Sequence, residues 1–411
     1  MIERIGKPAA ITNRGLRVAI AQVGGPTAVI NCSLFGFMNE LREIYKGEEK
    51  KLELFGVADG MSGLCEGRLF RLNTRHSFEW LKSQPGAALG AGRKALVQDD
   101  LEDCLDTLRR YDIRALALAG GNGTMWACQS IEQAARDSGY ELQVIGIPKT
   151  VDNDIQVTDH TPGFPSAAKF VAHAVRDISA DLQSMRNFEQ VRVIETMGRN
   201  VGWLSAASGY FKESEEDAPH LIYIPEQPFQ FVRMLEEVKE VYSQLGYCLV
   251  VASEGLKDGS GQPIRAQGIA NGKKNGQGLQ ALGGIGSVIA ETISQELGLA
   301  CRYENLGILQ RCASFAVSAQ DQLEAEAVGR QAARYLLEGV SGRMVTIVRQ
   351  ADKPYDWNVG SAPFRDVAGI ERAFDPADLS PGGWISERYK AWLKPFVGRK
   401  EAYRRLNISS V

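Results

Sequence analysis

Apolar positions along the chain fall into two alternating rhythms. RVAIAQ, 17–22, is a short apolar run with β-branched character; it passes through VGGPTAVIN into a helical stretch reaching about Tyr45. The pattern returns at RALALAGG, 114–121, where the following helix places Met125, Cys128, Ile131 and Ala135 on one face. LQVIGIP, 142–148, reads as a third buried strand. A second series begins with a helix over 165–184, marked by Phe170, Ala174, Ile178 and Leu182 at a spacing of four. VRVIET (191–196), HLIYIPE (220–226) and YCLVVASEG (247–255) read as strands. A helix follows MGRNVGW, and Phe231, Leu235, Val238 and Val241 stripe another. Further helices are predicted near 286–297 and 318–338, with MVTIV, 344–348, as a late strand.

Strands alternating with helices predict mainly parallel sheets covered on both faces. Two such series predict two Rossmann-like α/β/α domains facing each other across a cleft. The expected division is 1–155, 156–315 and a C-terminal part, 316–411, with helices and a strand that partly return to the first domain. Ligands of such sheets bind at the carboxyl ends of strands, and that is where the glycine turns fall.

Length and composition agree with this picture. The chain has 411 residues, 44% hydrophobic and 24% charged, which suits two globular domains. A net charge of −3, with only short or mixed charge clusters such as KGEEKK (46–51) and KESEED (212–217), gives no basic face for nucleic acid. No apolar run reaches the roughly 18 residues of a membrane helix. MIERIGKPAAITNRG lacks an apolar signal core. Seven cysteines are scattered singly with no CxxC pair, which predicts reduced thiols in a cytoplasmic protein. Four histidines show no metal-ligand spacing. Glycine and lysine are dense at DGSGQP, 258–263, and NGKKNGQG, 271–278, which read as surface loops.

Gly24-Gly25 and Gly120-Gly121 each end a strand and open a helix. Glycine lets a phosphate approach the backbone, and the helix start supplies free N–H donors and partial positive charge. Alone, either pair is equally a tight packing turn; two in one domain suggest a ligand with more than one phosphoryl group. SQPGAALGAGRK, 83–94, is a third glycine-rich loop, ending in Arg93 and Lys94, cations suited to a transferring phosphate.

IPKTVDNDI, 147–155, brings a lysine and two aspartates together. In an extended chain residues i and i+2 face the same way, so Asp152 and Asp154 are expected to point into one site. A hydroxyl attacking a phosphoryl group must lose its proton, and a positioned aspartate can take it. The second carboxylate can hold a metal ion or tune the first, while Lys149 and Arg93 neutralise the transferring group. The other reading of the stretch is an Asx-rich turn capping a helix.

AQVGGPTAVIN (21–31), LALAGGNGT (116–124), IPKTVDND (147–154), TDHTPGFPSAAK (158–169), ETMGRNVGW (195–203), SEG (253–255) and LGILQR (306–311) occur in an order that resembles the phosphofructokinase family, most of all its pyrophosphate-dependent branch. The resemblance implies phosphoryl transfer to the 1-hydroxyl of fructose 6-phosphate with Mg²⁺. It implies Asp152 as base, with Thr150 and Asp154 beside it, and Arg93 on the transferring group. Gly24, Gly25, Gly120, Gly121, Gly123 and Thr124 would line the donor site, with Asn122 near magnesium. Met197, Gly198, Arg199, Glu254 and Arg311 would contact the sugar phosphate. Arg302 would reach the site of a neighbouring subunit, which implies a homodimer or homotetramer.

The donor, ATP or pyrophosphate, turns on position 123. Pyrophosphate users resemble GGDD or GGND, where an aspartate fills the space of a nucleotide's α-phosphate. Gly123 leaves that space open and leans the reading to ATP, whereas Lys149 resembles the pyrophosphate branch. Three positions depart from the family: Asn122 for an aspartate, Ile308 for a histidine or tyrosine, and Gln190 for the arginine of bacterial ATP users. A non-catalytic or altered-specificity sugar-phosphate-binding homologue is the alternative these departures raise. A kinase of the NAD or diacylglycerol type would share the GG turn but has no use for MGRN and LGILQR, and no GxGxxG follows the first strand as a dehydrogenase would require.

Overall fold

The structure is a computed structural model that describes residues 15–72, 77–92, 94, 96–264 and 283–399. The strands of its two main sheets, in chain order, are β1 (Leu16–Gln22), β2 (Leu52–Val57), β3 (Leu69–Arg71), β4 (Ala115–Gly120), β5 (Gln143–Pro148), β6 (Val191–Thr196), β7 (Leu221–Tyr223), β8 (Cys248–Ser253), β9 (Cys301–Asn305), β10 (Arg343–Asp352) and β11 (Tyr355–Pro363). They form a seven-stranded sheet in the order β11-β10-β5-β4-β1-β2-β3 and a four-stranded sheet in the order β7-β8-β6-β9. The smaller sheet is wholly parallel. The larger is parallel except for its outer pairs, β10 with β11 and β2 with β3.

The apolar runs form strands because both faces of each sheet are buried. Along β1, Leu16, Val18 and Ile20 enter one core while Ala19 and Ala21 enter the other. β8 behaves alike: Cys248, Val250 and Ala252 face one side, Leu249 and Val251 the opposite side. Each such aliphatic side chain taken from water contributes about 1.5–3 kcal/mol. The striped helices cover these faces. Met125, Cys128, Ile131 and Ala135 are all buried in the helix Asn122–Asp137.

Beyond residue 316 the chain divides between the two sheets. The helix Ala319–Leu337 packs on the helix Ile30–Ile44 against the larger sheet, and β10 pairs with β5. The last helix, Glu387–Val397, packs on the helix Phe164–Met185 of the second series. The expected strand at 344–348 is the centre of a longer hairpin arm, Arg343–Asp352. The helix after MGRNVGW is a short one, Trp203–Ala207. The stretch 271–278 lies outside the described residues.

Candidate active site

The two glycine turns meet at one lysine. Lys149 follows β5, is almost fully buried, and its Nζ donates to the carbonyl of Gly25 at 2.7 Å. Its backbone N–H donates to Gly120 O at 3.0 Å. Gly24 adopts φ +76, and a Cβ there would stand 3.4 Å from the Lys149 Nζ. At Gly120 a Cβ would lie 2.1 Å from the Thr124 Oγ1, so that turn admits glycine alone. Gly121 flanks the start of the helix Asn122–Asp137, whose first N–H groups have no partner within the helix. At Gly123 a Cβ would meet nothing within 4 Å. The third glycine loop joins this cluster through the N–H of Gly24, which donates to Gly92 O at 3.1 Å. Arg93 lies outside the described residues.

The segment after Lys149 is a turn, which corrects the extended reading of Asp152 and Asp154. Asn153 adopts the left-handed region, φ 60, and is fully buried. Its Oδ1 accepts the Thr161 N–H at 3.1 Å, the Thr161 hydroxyl donates to Thr150 O at 3.0 Å, and Thr150 bridges to Gly163. Asparagine tolerates this conformation because its short polar side chain bonds locally. Thr150 Oγ1 accepts the Asp152 N–H at 3.0 Å. The helix-capping reading does not describe this turn, since the next helix starts at Phe164.

The two carboxylates still share an environment. Burial pushes the Asp152 carboxyl up to about 7, helped by the charges of Asp154 and Glu254, against the pull of Lys149. Asp154 is also raised, first by burial. Its Oδ1 is buried without a hydrogen-bond partner among the described residues. Glu254 follows β8 of the smaller sheet and is anchored by its N–H to Thr196 O at 2.9 Å. The turn therefore carries a carboxyl that titrates near neutrality, flanked by charged groups from both sheets.

On the second sheet's side, Met197 donates its N–H to Gln310 Oε1 at 2.9 Å, which ties the MGR segment to LGILQR. Gly198 has φ +138 and accepts the Ser253 hydroxyl at 2.6 Å. Arg199 is half-buried. Arg311 lies in the short helix Leu309–Cys312, next to the exposed side chain of Ile308. Arg302 sits on the edge strand β9, with its Nε 2.7 Å from Glu189 Oε1. Among the described residues no hydrogen bond or ion pair joins it to Asp152. Gln190, at the opposite end of β6 from Met197, accepts the Ala300 N–H at 2.7 Å.

Glu371, the 369–370 backbone that clamps Asn122, and Thr161 were not singled out in the sequence. Glu371 lies near both aspartates, raising them, and its Oε1 accepts from Asn200 Nδ2 at 2.6 Å. Asn122, proposed for magnesium, spends both ends of its carboxamide on the same stretch: Oδ1 accepts the Gly369 N–H at 2.7 Å and Nδ2 donates to Ile370 O at 2.8 Å. The third is Thr161, the clamp on the turn. No periodicity or local motif marks 369–372, because its partners lie more than 160 residues away.

Comparison with known proteins places this geometry. The family model "Phosphofructokinase" matches residues 17–336. A sulfofructose kinase of Alkalicoccus urumqiensis is 41% identical over 93% of this chain and 96% of its own. A pyrophosphate–fructose 6-phosphate 1-phosphotransferase of Xanthomonas campestris pv. campestris is 36% identical over 92% of this chain and 90% of its own. The crystal structure of a pyrophosphate-dependent phosphofructokinase from Marinobacter aquaeolei superposes with a TM-score of 0.80 at 30% identity, covering 95% of this chain and 94% of the other.

Proposed function

The chain belongs to the phosphofructokinase family, and on that premise we propose that it transfers a phosphoryl group from ATP to the 1-hydroxyl of a fructose bearing an anionic group. The observation that carries this reading is the junction at 149–154. Lys149 stitches the glycine turns together, and Asp152, raised to about 7, stands among Asp154, Glu254 and Glu371. A base with that affinity is half ionised at neutral pH and takes a hydroxyl proton with useful driving force. As the sugar oxygen attacks phosphorus, its proton passes to the Asp152 carboxylate and the P–O bond to the leaving diphosphate breaks. Charge on the moving group is met by the N–H groups at Gly120, Gly121 and the helix start, by Lys149 and, on the resemblance, by Arg93.

Open space at Gly123 supports ATP: no side chain fills the place an aspartate takes in relatives that use pyrophosphate. Magnesium fits the carboxylates. The unpartnered Asp154 Oδ1 is a ready ligand, with Asp152 beside it. Mg²⁺ takes one or two protein carboxylates and fills its other positions with water and phosphate oxygens. When bound it neutralises donor charge.

The acceptor has two candidates, fructose 6-phosphate and a sulfofructose. Two observations favour the second. Ile308 presents an exposed apolar side chain where relatives place a hydrogen-bonding one, and the 41% identical relative is named for sulfofructose. A sulfonate carries one charge where a phosphate monoester carries about −1.5 to −2, so it asks for fewer donors. On the family resemblance, this reading has the enzyme act in the cytoplasm as a homo-oligomer in which Arg302 serves a neighbouring copy.

The test is turnover of the purified full chain with Mg²⁺, both donors and both acceptors in all four combinations. Product with ATP supports the reading. Folded protein inactive on all four pairs removes it, and faster turnover with pyrophosphate than with ATP removes the donor assignment.

A further inference from the structure

Cys65 lies in the last turn of the short helix Met61–Glu66, and Cys104 lies inside the helix Asp100–Arg110. Their sulfurs are 3.4 Å apart. Cys65 is half-buried and reachable from solvent, while Cys104 is fully buried. Lys94, from the third glycine loop, sits over the pair. Its Nζ is 2.7 Å from Asp100 Oδ1, one turn before Cys104, and its charge acts on Cys65. A thiol beside a cation, partly exposed and touching a second thiol, is the arrangement of a peroxide-sensitive cysteine with its resolving partner. The Cys65 thiol is held below its ordinary range by the Cys104 hydrogen bond and by Lys94, while burial and the same contact hold Cys104 well above it.

The pair is mechanically joined to the donor site. Helix Met61–Glu66 starts against the glycine loop: a Cβ on Gly92 would lie 2.4 Å from Asp59 O, and the Asp59 N–H donates to Leu89 O at 3.0 Å. The same loop holds Gly24 through Gly92 O.

We propose that Cys65 and Cys104 are an oxidisable dithiol whose disulfide turns down phosphoryl transfer by shifting the glycine loop that carries Lys94. The oxidant is a hydroperoxide. The Cys65 thiol gives its proton to solvent, its thiolate attacks the outer oxygen, the O–O bond breaks, and a sulfenic acid forms while the leaving hydroxide or alkoxide takes a proton back from solvent as water or an alcohol. The Cys104 sulfur then attacks the Cys65 sulfur, the S–OH bond breaks, and the Cys104 proton leaves with the hydroxyl as water. Closing the 3.4 Å gap to a disulfide's roughly 2.05 Å draws the two sulfurs together, and in this proposal the displacement passes along the helix of Cys104 to Asp100 and its partner Lys94. The effect on turnover rests on the phosphoryl-transfer reading; the disulfide does not.

The test treats reduced full-length protein with hydrogen peroxide, alkylates remaining thiols and maps the peptides, with turnover measured before and after. The expected result is a Cys65–Cys104 cross-link, a chain two hydrogens lighter, and turnover lower by about fivefold or more, restored by dithiothreitol. Cys65→Ser keeps its turnover through the same treatment. Recovery of both cysteines alkylated, or Cys65 as sulfinic acid with Cys104 alkylated, overturns the proposal. So does a cross-linked chain that turns over at the reduced rate. A reduced chain inactive on every donor and acceptor pair would remove the function reading and leave the cross-link map to judge the dithiol.

Discussion

The two sheets build their halves of the site differently. The larger sheet offers backbone: Gly24, Gly25, Gly120 and Gly121 at strand ends, with Gly25 and Gly120 bonded to Lys149 and Gly24 to Gly92. The smaller sheet offers side chains, Arg199, Glu254 and Arg311, on segments far apart in sequence. Its edge strand β9 is polar and exposed, with Arg302 57% exposed. A donor recognised through phosphates can be held by main-chain N–H groups, whose placement depends on glycine and not on side-chain identity. A sugar must be told from its analogues, and only side chains can do so. Phosphate binding thus rests on the backbone of such a scaffold, and acceptor choice on its side chains.

Removing the proposed base, which stands between the two halves, breaks the comparison at its centre. Asp152→Ala is expected to lower kcat by about 10²–10⁴ with either donor, with the melting temperature unchanged or raised, because a disfavoured carboxyl has gone. Disrupting the joint between the halves comes next. His160 is buried between Asp159 at 2.8 Å and Glu324 at 2.7 Å, the latter on the helix that covers the larger sheet. His160→Leu removes the cation between them, leaving Asp159 its Arg349 partner but the buried Glu324, among the described residues, only the neutral donors Tyr355 and Gln320, and is expected to cost about 3–5 kcal/mol in denaturant titration. Its neighbours, chiefly the Glu324 charge, lift the His160 imidazolium to about 9 against the cost of burial. That raised affinity gives stability fully present below about pH 6.5 and lost as pH rises through 9; stability that stays flat over this window would refute it.

Narrower substitutions separate the halves. Gly123→Asp is expected to lower kcat/KM for ATP relative to pyrophosphate by about tenfold or more, roughly 1.4 kcal/mol, while leaving acceptor preference alone. Ile308→His should do the reverse, raising use of fructose 6-phosphate relative to sulfofructose by up to about tenfold through one charged hydrogen bond. The smallest effect concerns pH. As the proposed base Asp152 acts ionised, so activity is expected to climb through about pH 7. Asp154→Asn removes a neighbouring charge and should move that rise to lower pH, by up to about one unit, as read from kcat/KM profiles.

Legibility in the sequence followed the same division. Strands with both faces buried, β1, β4, β5, β6 and β8, are continuous apolar runs, and the glycine turns that follow them are local. β9, CRYEN, is an edge strand too polar to stand out, and β2 follows a charged cluster that hides its start. The antiparallel partner β11 alternates half-buried and exposed positions, so nothing in it resembles the buried runs. Within the site, KTVDND announced its chemistry but not its shape, because the bend at Asn153 is set by Thr161 across the turn. Glu371 and the clamp on Asn122 depend on contacts that no local pattern encodes.

That clamp has a consequence for the order of events during synthesis. The first residue of the donor-side helix is held by Gly369 and Ile370, which leave the ribosome nearly 250 residues later. A nascent or truncated chain ending before them carries every glycine of the phosphate cradle and lacks the strap that fixes it. Competence to bind donor is therefore among the last properties the growing polypeptide acquires.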